Sequence, residues 1–279
     1  QDRLAVRMKL TSQNVEDVIM SRLLEKNESG KKNLSPIYEN EKNHFQTLFS
    51  FRAGAKSYRG FRDEEHFVKS YPFIPYQYSL FQSSIQSLSS HQVFEGQHSS
   101  VGERSMLSDF QEVVLQNADM NVGALATFDQ TFEGIRKAIK TQHQQLILDA
   151  ENHLQNHFAV KVLKALFMVK YIQDFKATAD NLRVLFISDF NENLEDLKNR
   201  LQTALNLLEK EIYIQRTGED YEYLTDKEKD IEKEIANTQV EMSSVRSELA
   251  KIIFDRILTD RKIRYDNPSQ DYPFTQKVD

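Results

Sequence analysis

The sequence predicts a mainly α-helical protein that contains a winged-helix-like module and a long C-terminal helix. Three observations support this fold class. Apolar residues recur at intervals of three and four along most of the chain, which is the spacing of one helix face. Three helical stretches, the first of them strongly apolar, are followed by an alternating stretch that turns at Gly218. Beyond it, the helical spacing continues under a heavy load of charge.

The composition limits the class of protein. The chain has 279 residues, of which 39% are hydrophobic, enough to bury a core. It has no apolar run of membrane-spanning length and no secretory signal pattern, and the absence of cysteine excludes disulfides and thiolate-bound metals. The net charge of -6 argues against a protein that coats nucleic acid. We therefore expect a cytoplasmic protein.

Residues 2–70 contain several different sequence patterns. Residues 2–10, "DRLAVRMKL", alternate apolar and polar side chains, as in a half-buried strand. A helix follows with Thr11 or Ser12 as its N-cap. Residues 27–32, "NESGKK", predict a turn. Residues 37–70 predict short helices, because glycines interrupt their pattern of aromatic side chains.

The stretch "SYPFIPYQYSLFQ", residues 70–82, places two prolines in an aromatic patch. Proline fixes φ and biases the residue before it away from helix, so this stretch should run extended until a helix begins near Pro75 or Tyr76. It is either an aromatic patch packed in the core or a hinge with a functional role. The residues of this motif are Tyr71, Pro72, Phe73, Pro75, Tyr76 and Gln77.

A serine-rich stretch, residues 83–102, predicts a mobile loop. The next helix begins at Gly-Glu-Arg and places Met106, Leu107, Phe110, Val113 and Val114 on one face. Residues 127–152 predict one longer helix with a discontinuous apolar stripe.

The winged-helix-like module is predicted from the order of its elements. Helices are expected at residues 158–172, at 178–187 with Thr178 as the cap, and at 193–211; residues 212–225 then predict a β-hairpin. After the hairpin, residues 226–259 predict a long charged helix that could form a coiled coil or bind a partner. We expect three domains, with boundaries at 1–152, 153–225 and 226–279.

The sequence contains no catalytic motif. It has no GxxxxGK[ST], since "ESGKKN" at 28–33 lacks the first glycine and the hydroxyl that would hold Mg²⁺. It has no HExxH and no Gly-x-Ser-x-Gly. His153 and His157 have the spacing of metal ligands on a helix but no third ligand nearby, so exposed histidines are the favoured interpretation. We assign no catalytic residue and no metal site.

One helix start is a candidate phosphate contact. Arg104 follows Gly102 and Glu103 in the first turn of its predicted helix, where free amide groups attract anions and a guanidinium could bind phosphate. The alternative is an ordinary surface arginine beside a capping glutamate. Arg3 could act as an arginine finger toward a neighbouring subunit, although a lone arginine is a weak signal.

DNA binding by the winged-helix-like module is a separate question. Arg183, Arg200 and Arg216 could form a small contact patch. Acidic residues outnumber basic ones between residues 153 and 235, whereas a surface that grips phosphates is strongly basic. We therefore favour a protein–protein or intramolecular role for this module.

Several short stretches of the sequence resemble a known protein family. "YPFIPYQYSLFQ", "GERSMLSDFQEVV", "YEYLTDKEKDIEKEI" and "YPFTQKVD" resemble the P-loop protein of bacterial BREX phage-exclusion systems, the BrxC or PglY family. The resemblance implies an internal fragment that lacks the Walker motifs. It further implies a helical lid-type domain of an AAA+ or STAND-like ATPase, with ATP and Mg²⁺ bound by the full-length protein and no cofactor bound by this part.

The resemblance also implies partners and roles. The ATPase core of the same protein is the first expected partner, and other BREX proteins or further copies of the chain are the next. Arg104 would sense the nucleotide, and Tyr71, Phe73, Tyr76 and Gln77 would shape the hinge of the lid. Two other function classes stay open: a stand-alone winged-helix DNA-binding protein, and a helical scaffold that assembles partners through residues 226–259.

Overall fold

The computed structural model describes residues 12–52, 57–95, 103–238, 241–266 and 269–275. These residues are mainly helical, so the prediction of a mainly α-helical fold is confirmed. The chain divides into two compact units, Gln1–Lys229 and Asp230–Asp279. The strand predicted at residues 2–10 lies outside the described residues.

The first unit is built from helices and one hairpin. Its helices are α1 (Ser12–Arg22), α2 (Glu28–Glu41), α3 (Phe45–Leu48), α4 (Glu64–Ser70), α5 (Pro75–Ser90), α6 (Glu103–Gln116), α7 (Thr131–Ile135), α8 (Thr141–His153), α9 (His157–Val169), α10 (Ala179–Leu185) and α11 (Leu194–Lys210). Short 3-10 turns, Phe128–Gln130 and Arg136–Ala138, flank α7, and the hairpin consists of β1 (Ile214–Thr217) and β2 (Asp220–Tyr223).

The second unit is smaller. Helix α12 (Asp226–Asn237) begins in the first unit and continues in the second. It is followed by α13 (Met242–Ile252), a π-helical turn (Ile253–Ile257) and an antiparallel hairpin of β3 (Lys262–Asp266) and β4 (Ser269–Pro273).

The three helices and the hairpin expected between residues 158 and 225 are present. Thr178 caps α10 as predicted, because its hydroxyl accepts a hydrogen bond from the Asn181 amide at 3.3 Å. In the hairpin, Ile214 pairs with Tyr223 and the turn places Gly218 at φ +65°, a conformation that glycine adopts without strain. The assignment of this part as a winged helix stays a prediction.

A single hydrophobic core runs through the first unit. Its fully buried side chains come from α5, α9, α10 and α11 alike, for example Leu80, Leu163, Leu182 and Leu205. The predicted domain boundary at residue 152 therefore lies inside one compact unit. The boundary predicted after residue 225 lies near the division between the two units.

Ion pairs also connect residues on the two sides of the predicted boundary at residue 152. The Lys164 ammonium on α9 contacts Glu133 at 2.6 Å and Glu151 at 2.8 Å, and the Arg136 guanidinium contacts the same two carboxylates. Opposite charges that are partly removed from water attract more strongly than surface pairs. This cluster therefore joins α7, α8 and α9.

Two predicted irregular stretches are helical instead. The turn predicted at residues 27–32 is wrong, because the Asn27 side chain accepts from the Gly30 amide at 2.7 Å and starts α2 there. The predicted loop is wrong over residues 83–90, where α5 continues. Its serine hydroxyls donate to carbonyls one turn earlier, such as Ser87 to Ser83 at 2.8 Å. Residues 96–102 lie outside the described part of the chain.

The single helix predicted for residues 127–152 is also wrong. Ile139 is extended, with ψ 134°, and forms a β-bridge with Phe94. The Lys140 amide donates to the Val93 carbonyl at 2.9 Å, and the Glu95 amide donates to the Ala138 carbonyl at 2.9 Å. These contacts between distant residues interrupt the helical pattern between α7 and α8.

The long helix predicted for residues 226–259 is interrupted. Helix α12 ends at Asn237, and Glu241 is extended with ψ 132° before α13 begins at Met242. The apolar spacing is present on both helices, so the pattern predicted the helical faces correctly and their continuity wrongly.

Candidate functional site at the proline-rich hinge

The hinge segment, residues 70–78, connects α4 to α5 and is packed inside the first unit. Phe73, Ile74, Tyr76 and Gln77 are each at most 1% exposed. Helix α5 begins at Pro75, as predicted, and the Gln77 side chain accepts from the Ile74 amide at 2.9 Å. The residues of the motif are thus brought together, and the aromatic patch lies in the core.

The hinge segment is hydrogen-bonded to two distant parts of the unit. Gln77 donates through Nε2 to the Ala126 carbonyl at 2.7 Å, and the Ala126 amide donates to the Pro72 carbonyl at 3.1 Å. The Tyr76 hydroxyl donates to the Val184 carbonyl on α10 at 3.0 Å. Burial raises the pKa of Tyr76, so this hydroxyl keeps its proton. The segment therefore ties α5 to residues 123–127 and to α10.

Lys26 braces the other side of the hinge segment. Its ammonium donates to the Tyr71 carbonyl and to the Lys69 carbonyl, the latter at 3.1 Å. Tyr71 in turn accepts through its hydroxyl from the Gly123 amide at 2.9 Å. Burial lowers the pKa of Lys26 to about 7. A lysine that bonds carbonyls at the C-terminal end of a helix stabilises that end.

Two surface grooves meet at Lys26. One has a volume of 540 Å³ and lies between α1, α2 and α4; the other has a volume of 260 Å³ and borders Tyr71, Pro72 and α6. Met120 and Val122 line the second groove and are 49% and 55% exposed. This apolar rim next to the hinge segment is a surface that sequence reasoning did not predict, because no motif marks it.

Helix α6 connects the predicted nucleotide-sensing residues to the hinge segment. Glu103 and Arg104 lie in its first turn, as expected, while Gly102 and Arg3 lie outside the described residues. On the buried face of α6, the centroid of the Phe110 ring lies 4.9 Å from the centroid of the Phe73 ring and 5.1 Å from that of the Tyr78 ring. Met106, Phe110 and Val113 are buried, so the predicted apolar face of this helix is confirmed.

Two of the three arginines proposed for DNA contact, Arg200 and Arg216, have local partners. The Arg200 guanidinium lies 4.6 Å from the Phe158 ring centroid and 3.6 Å from Glu192. Arg216 donates to the Gly218 carbonyl at 2.9 Å and lies over Tyr221. Arg183 lies on α10 and is half-buried. Among the contacts of the described residues, none joins the three arginines into one patch.

A comparison with known protein families tests the resemblance to the BrxC family. Residues 238–279 match the family described as "BREX ATP-binding protein BrxC 4th domain with six-stranded beta sheet". The resemblance to the BrxC family is confirmed. No solved structure shows a significant match to the chain.

The segment that matches the BrxC family contains α13 and the β3–β4 hairpin. Its strands pair antiparallel, with Ile263 opposite Tyr272 and Arg264 opposite Asp271. The described residues of the match therefore supply two strands, in agreement with a domain whose family description includes a β-sheet.

The described residues show neither a metal site nor a membrane-spanning helix. His153 ends α8 and His157 begins α9, so the two do not share a helix face; His153 also bonds the Asp149 carbonyl at 2.8 Å. No cluster of three potential metal ligands occurs among the described residues. Nor does any helix in the described ranges have the length and apolarity to span a membrane.

Buried acidic residues were missed by sequence reasoning. Asp109 on α6 and Asp129 beside α7 are 6% and 4% exposed, and each has a carboxylate oxygen without a partner among the described residues. Burial raises the pKa of Asp109 to about 7. Asp109 lies against Gly134, where a Cβ would come within 2.6 Å of the Asp109 Cβ. An isolated glycine within a helical pattern, such as Gly134, is a weak signal, so the sequence did not reveal this close approach.

Proposed function

We propose that this chain is the lid and regulatory segment of a BREX ATP-binding protein of the BrxC family. It would couple ATP binding by the ATPase core of the full-length protein to assembly or to a DNA-related action. ATP and Mg²⁺ belong to that core. The match of residues 238–279 to the BrxC family is the observation that carries this proposal. The contact of Phe110 with Phe73 and Tyr78 supports the coupling role of α6.

This contact connects α6 to the hinge segment and, through the hinge segment, to other parts of the first unit. Close-packed aromatic rings move together, so a shift of α6 displaces the hinge segment. The hinge segment is bonded to residues 123–127 and to α10 through Gln77 and Tyr76. A change at the start of α6 would thereby reach the three helices after residue 157.

Arg104 is the residue through which the nucleotide would act. Free amides in the first helical turn attract anions, and a guanidinium can form two parallel bonds to a phosphate. A ligand shifts a conformational equilibrium only through contacts that differ between the two states. The phosphate would therefore contact Arg104 in one position of the lid and not in the other.

The test is the substitution Arg104→Ala in the full-length protein. We expect ATP turnover to fall about tenfold or more, because a hydrogen bond to a charged group contributes about 1.5–3 kcal/mol. Arg22→Ala, at the exposed end of α1, is the matched control. Circular dichroism checks that both variants fold. Turnover equal to that of the control would remove Arg104 from the proposal.

The partners follow from the same proposal. We expect the ATPase core and other BREX proteins, or further copies of the chain, to bind the segment. Duplex DNA is not favoured, because Arg200 and Arg216 are engaged within the chain and acidic residues outnumber basic ones in this module. Salt-dependent binding of the chain to duplex DNA in a mobility-shift titration would overturn this part.

A further inference from the structure

Another groove of the first unit, which we call the aromatic groove, is lined mainly by aromatic side chains. It has a volume of 470 Å³, within the range of about 300–1,000 Å³ that is typical of ligand sites. Phe45 and Phe49 are buried at its base, whereas Phe51, Tyr58 and Phe61 are half-buried. The centroids of the Phe51 and Tyr58 rings lie 5.0 Å apart. The groove therefore offers solvent-accessible aromatic walls to a planar group.

Arginines accompany these aromatic walls. Arg52 lines the aromatic groove, and Arg59 and Arg62 are next to lining residues in the sequence; all three are exposed. Residues 51–62 contain four basic residues and no acidic residue, although the whole chain has a net charge of -6. The Arg52 guanidinium contacts Asp180 at 2.6 Å, but its side chain is 75% exposed. Since a guanidinium has five N–H donors, Arg52 can bind a second anion while it keeps this contact.

The backbone that carries these side chains is held by the rest of the unit. The Arg52 amide donates to the Asn181 side chain at 2.7 Å, and the Arg62 amide donates to His66 Nδ1 at 3.1 Å. Burial, with a smaller contribution from Asp174, raises the pKa of Tyr58 to about 12, so the ring carries no negative charge that would repel a phosphate. Groups that are fixed before a ligand arrives bind it at a lower entropic cost.

We propose that the aromatic groove binds single-stranded nucleic acid, with a base stacked on its aromatic walls and the adjacent phosphates bound by Arg52, Arg59 and Arg62. Proteins that bind single strands combine these two features, aromatic rings for the bases and cations along the backbone. The bases of a duplex are stacked on one another and do not reach such rings. An acidic peptide would use the arginines and leave the aromatic walls unused. This inference goes beyond the proposed lid function and does not depend on it.

The test uses a side chain that fills the groove. Gly60 lines the aromatic groove, and a Cβ built at this position would have no atom within 4 Å, so Gly60→Leu obstructs the groove without disturbing the packing. Gly60→Ala is the matched control. Binding of fluorescein-labelled oligothymidylate to the full chain is measured by fluorescence anisotropy at low salt without ATP. We expect the affinity to fall about tenfold for Gly60→Leu, as for the loss of a stacked base, and less than about twofold for Gly60→Ala.

A second pair of variants tests the arginines. Arg59→Glu/Arg62→Glu should weaken binding about tenfold or more and make it less dependent on salt, because fewer phosphates are neutralised. Arg22→Glu/Lys32→Glu, at exposed positions of α1 and α2, is the matched control and should bind like the wild type. Absence of binding by the wild type, equal binding of a duplex, or equal effects of Gly60→Leu and Gly60→Ala would each overturn the proposal. Binding of polyglutamate instead of the oligonucleotide would also overturn it and would assign the arginines to an acidic protein partner.

Discussion

At the scale of single residues, this core contains polar groups in two opposite situations. Gln77 is fully buried and bonded at both ends of its amide, to Ile74 and to Ala126. Asp109 is also buried, at 6% exposed, but has an oxygen without a partner among the described residues. A satisfied buried amide holds a structure in one arrangement, whereas an unsatisfied carboxylate weakens it. Substitutions at the two sites should therefore have effects of opposite sign.

Replacement of Gln77 by methionine should destabilise the first unit. The side chain keeps its size, but the Ile74 amide and the Ala126 carbonyl lose their partners at a buried position. We expect the free energy of unfolding to fall by about 2–4 kcal/mol, since each buried unsatisfied group costs about 1–3 kcal/mol. Urea unfolding followed by circular dichroism measures this change. Gln86→Met, on the exposed side of the same helix, is the control, and an equal effect of both substitutions would contradict the interpretation.

Replacement of Asp109 by asparagine should stabilise the protein in a way that depends on pH. Burial raises the pKa of Asp109 in the folded state to about 7, whereas in the unfolded chain it ionises at about 3.9. Between these values only the unfolded state loses the proton, so the stability of the wild type falls as pH rises. We expect the advantage of Asp109→Asn to grow by about 1 kcal/mol per pH unit up to pH 7 and then to level off.

The measurement is urea unfolding of both proteins at several values from pH 5 to 8. Asp119→Asn, at an exposed position just after α6, is the control for the change of residue type. A constant difference between wild type and Asp109→Asn over this range would show that Asp109 does not titrate as its burial implies.

At the scale of elements, the sequence predicted structure best where local signals agreed with tertiary contacts. Thr178, the apolar spacing of α9 to α11 and the turn at Gly218 identified the helices and the hairpin near their observed bounds. Prediction failed where contacts between residues far apart in the sequence determined the local structure. The bridge from Phe94 to Ile139 broke one predicted helix. Helix α5 continued through the serine-rich stretch, where Ile85 and Leu88 are buried in the core. Within the candidate site, the prolines marked the hinge segment, but nothing in the pattern identified Lys26 as its brace.

Lys170 holds the hairpin and the start of α12 against α9, and its replacement by methionine should loosen both. Its ammonium contacts Glu222 at 3.0 Å, Glu228 at 2.9 Å and the Tyr223 carbonyl at 2.6 Å, while its own side chain is 3% exposed. We expect a loss of about 1–3 kcal/mol, less than for a fully buried pair because the two glutamates reach solvent.

Amide hydrogen exchange of the two variants Lys170→Met and Lys161→Met distinguishes a local from a general effect. Lys161 lies exposed on the same helix and serves as the control. Protection should decrease mainly in β1, β2 and the first turn of α12 for Lys170→Met. Unchanged protection of the hairpin would show that the other contacts of β2 suffice to hold it.

At the scale of the whole molecule, the first unit contains residues on both sides of the domain boundary that the sequence predicted at residue 152. The predicted boundary at residue 152 came from a change in pattern between α8 and α9, and patterns report local structure only. The shared core and the Lys164 contacts with Glu133 and Glu151 are long-range, so no local signal could reveal them.

Residues on both sides of that boundary should therefore unfold together. Leu163 lies on α9, is fully buried and belongs to the common core, so Leu163→Ala should cost about 2–5 kcal/mol. In native-state hydrogen exchange, we expect the most protected amides of α5 and of α11 to lose the same free energy, because one cooperative transition exposes both. Ile235→Ala, at a 60% exposed position of the second unit, should leave these amides unchanged. Loss of protection in α11 without loss in α5 would mean that the module after residue 152 opens independently and that the junction does not couple the two parts.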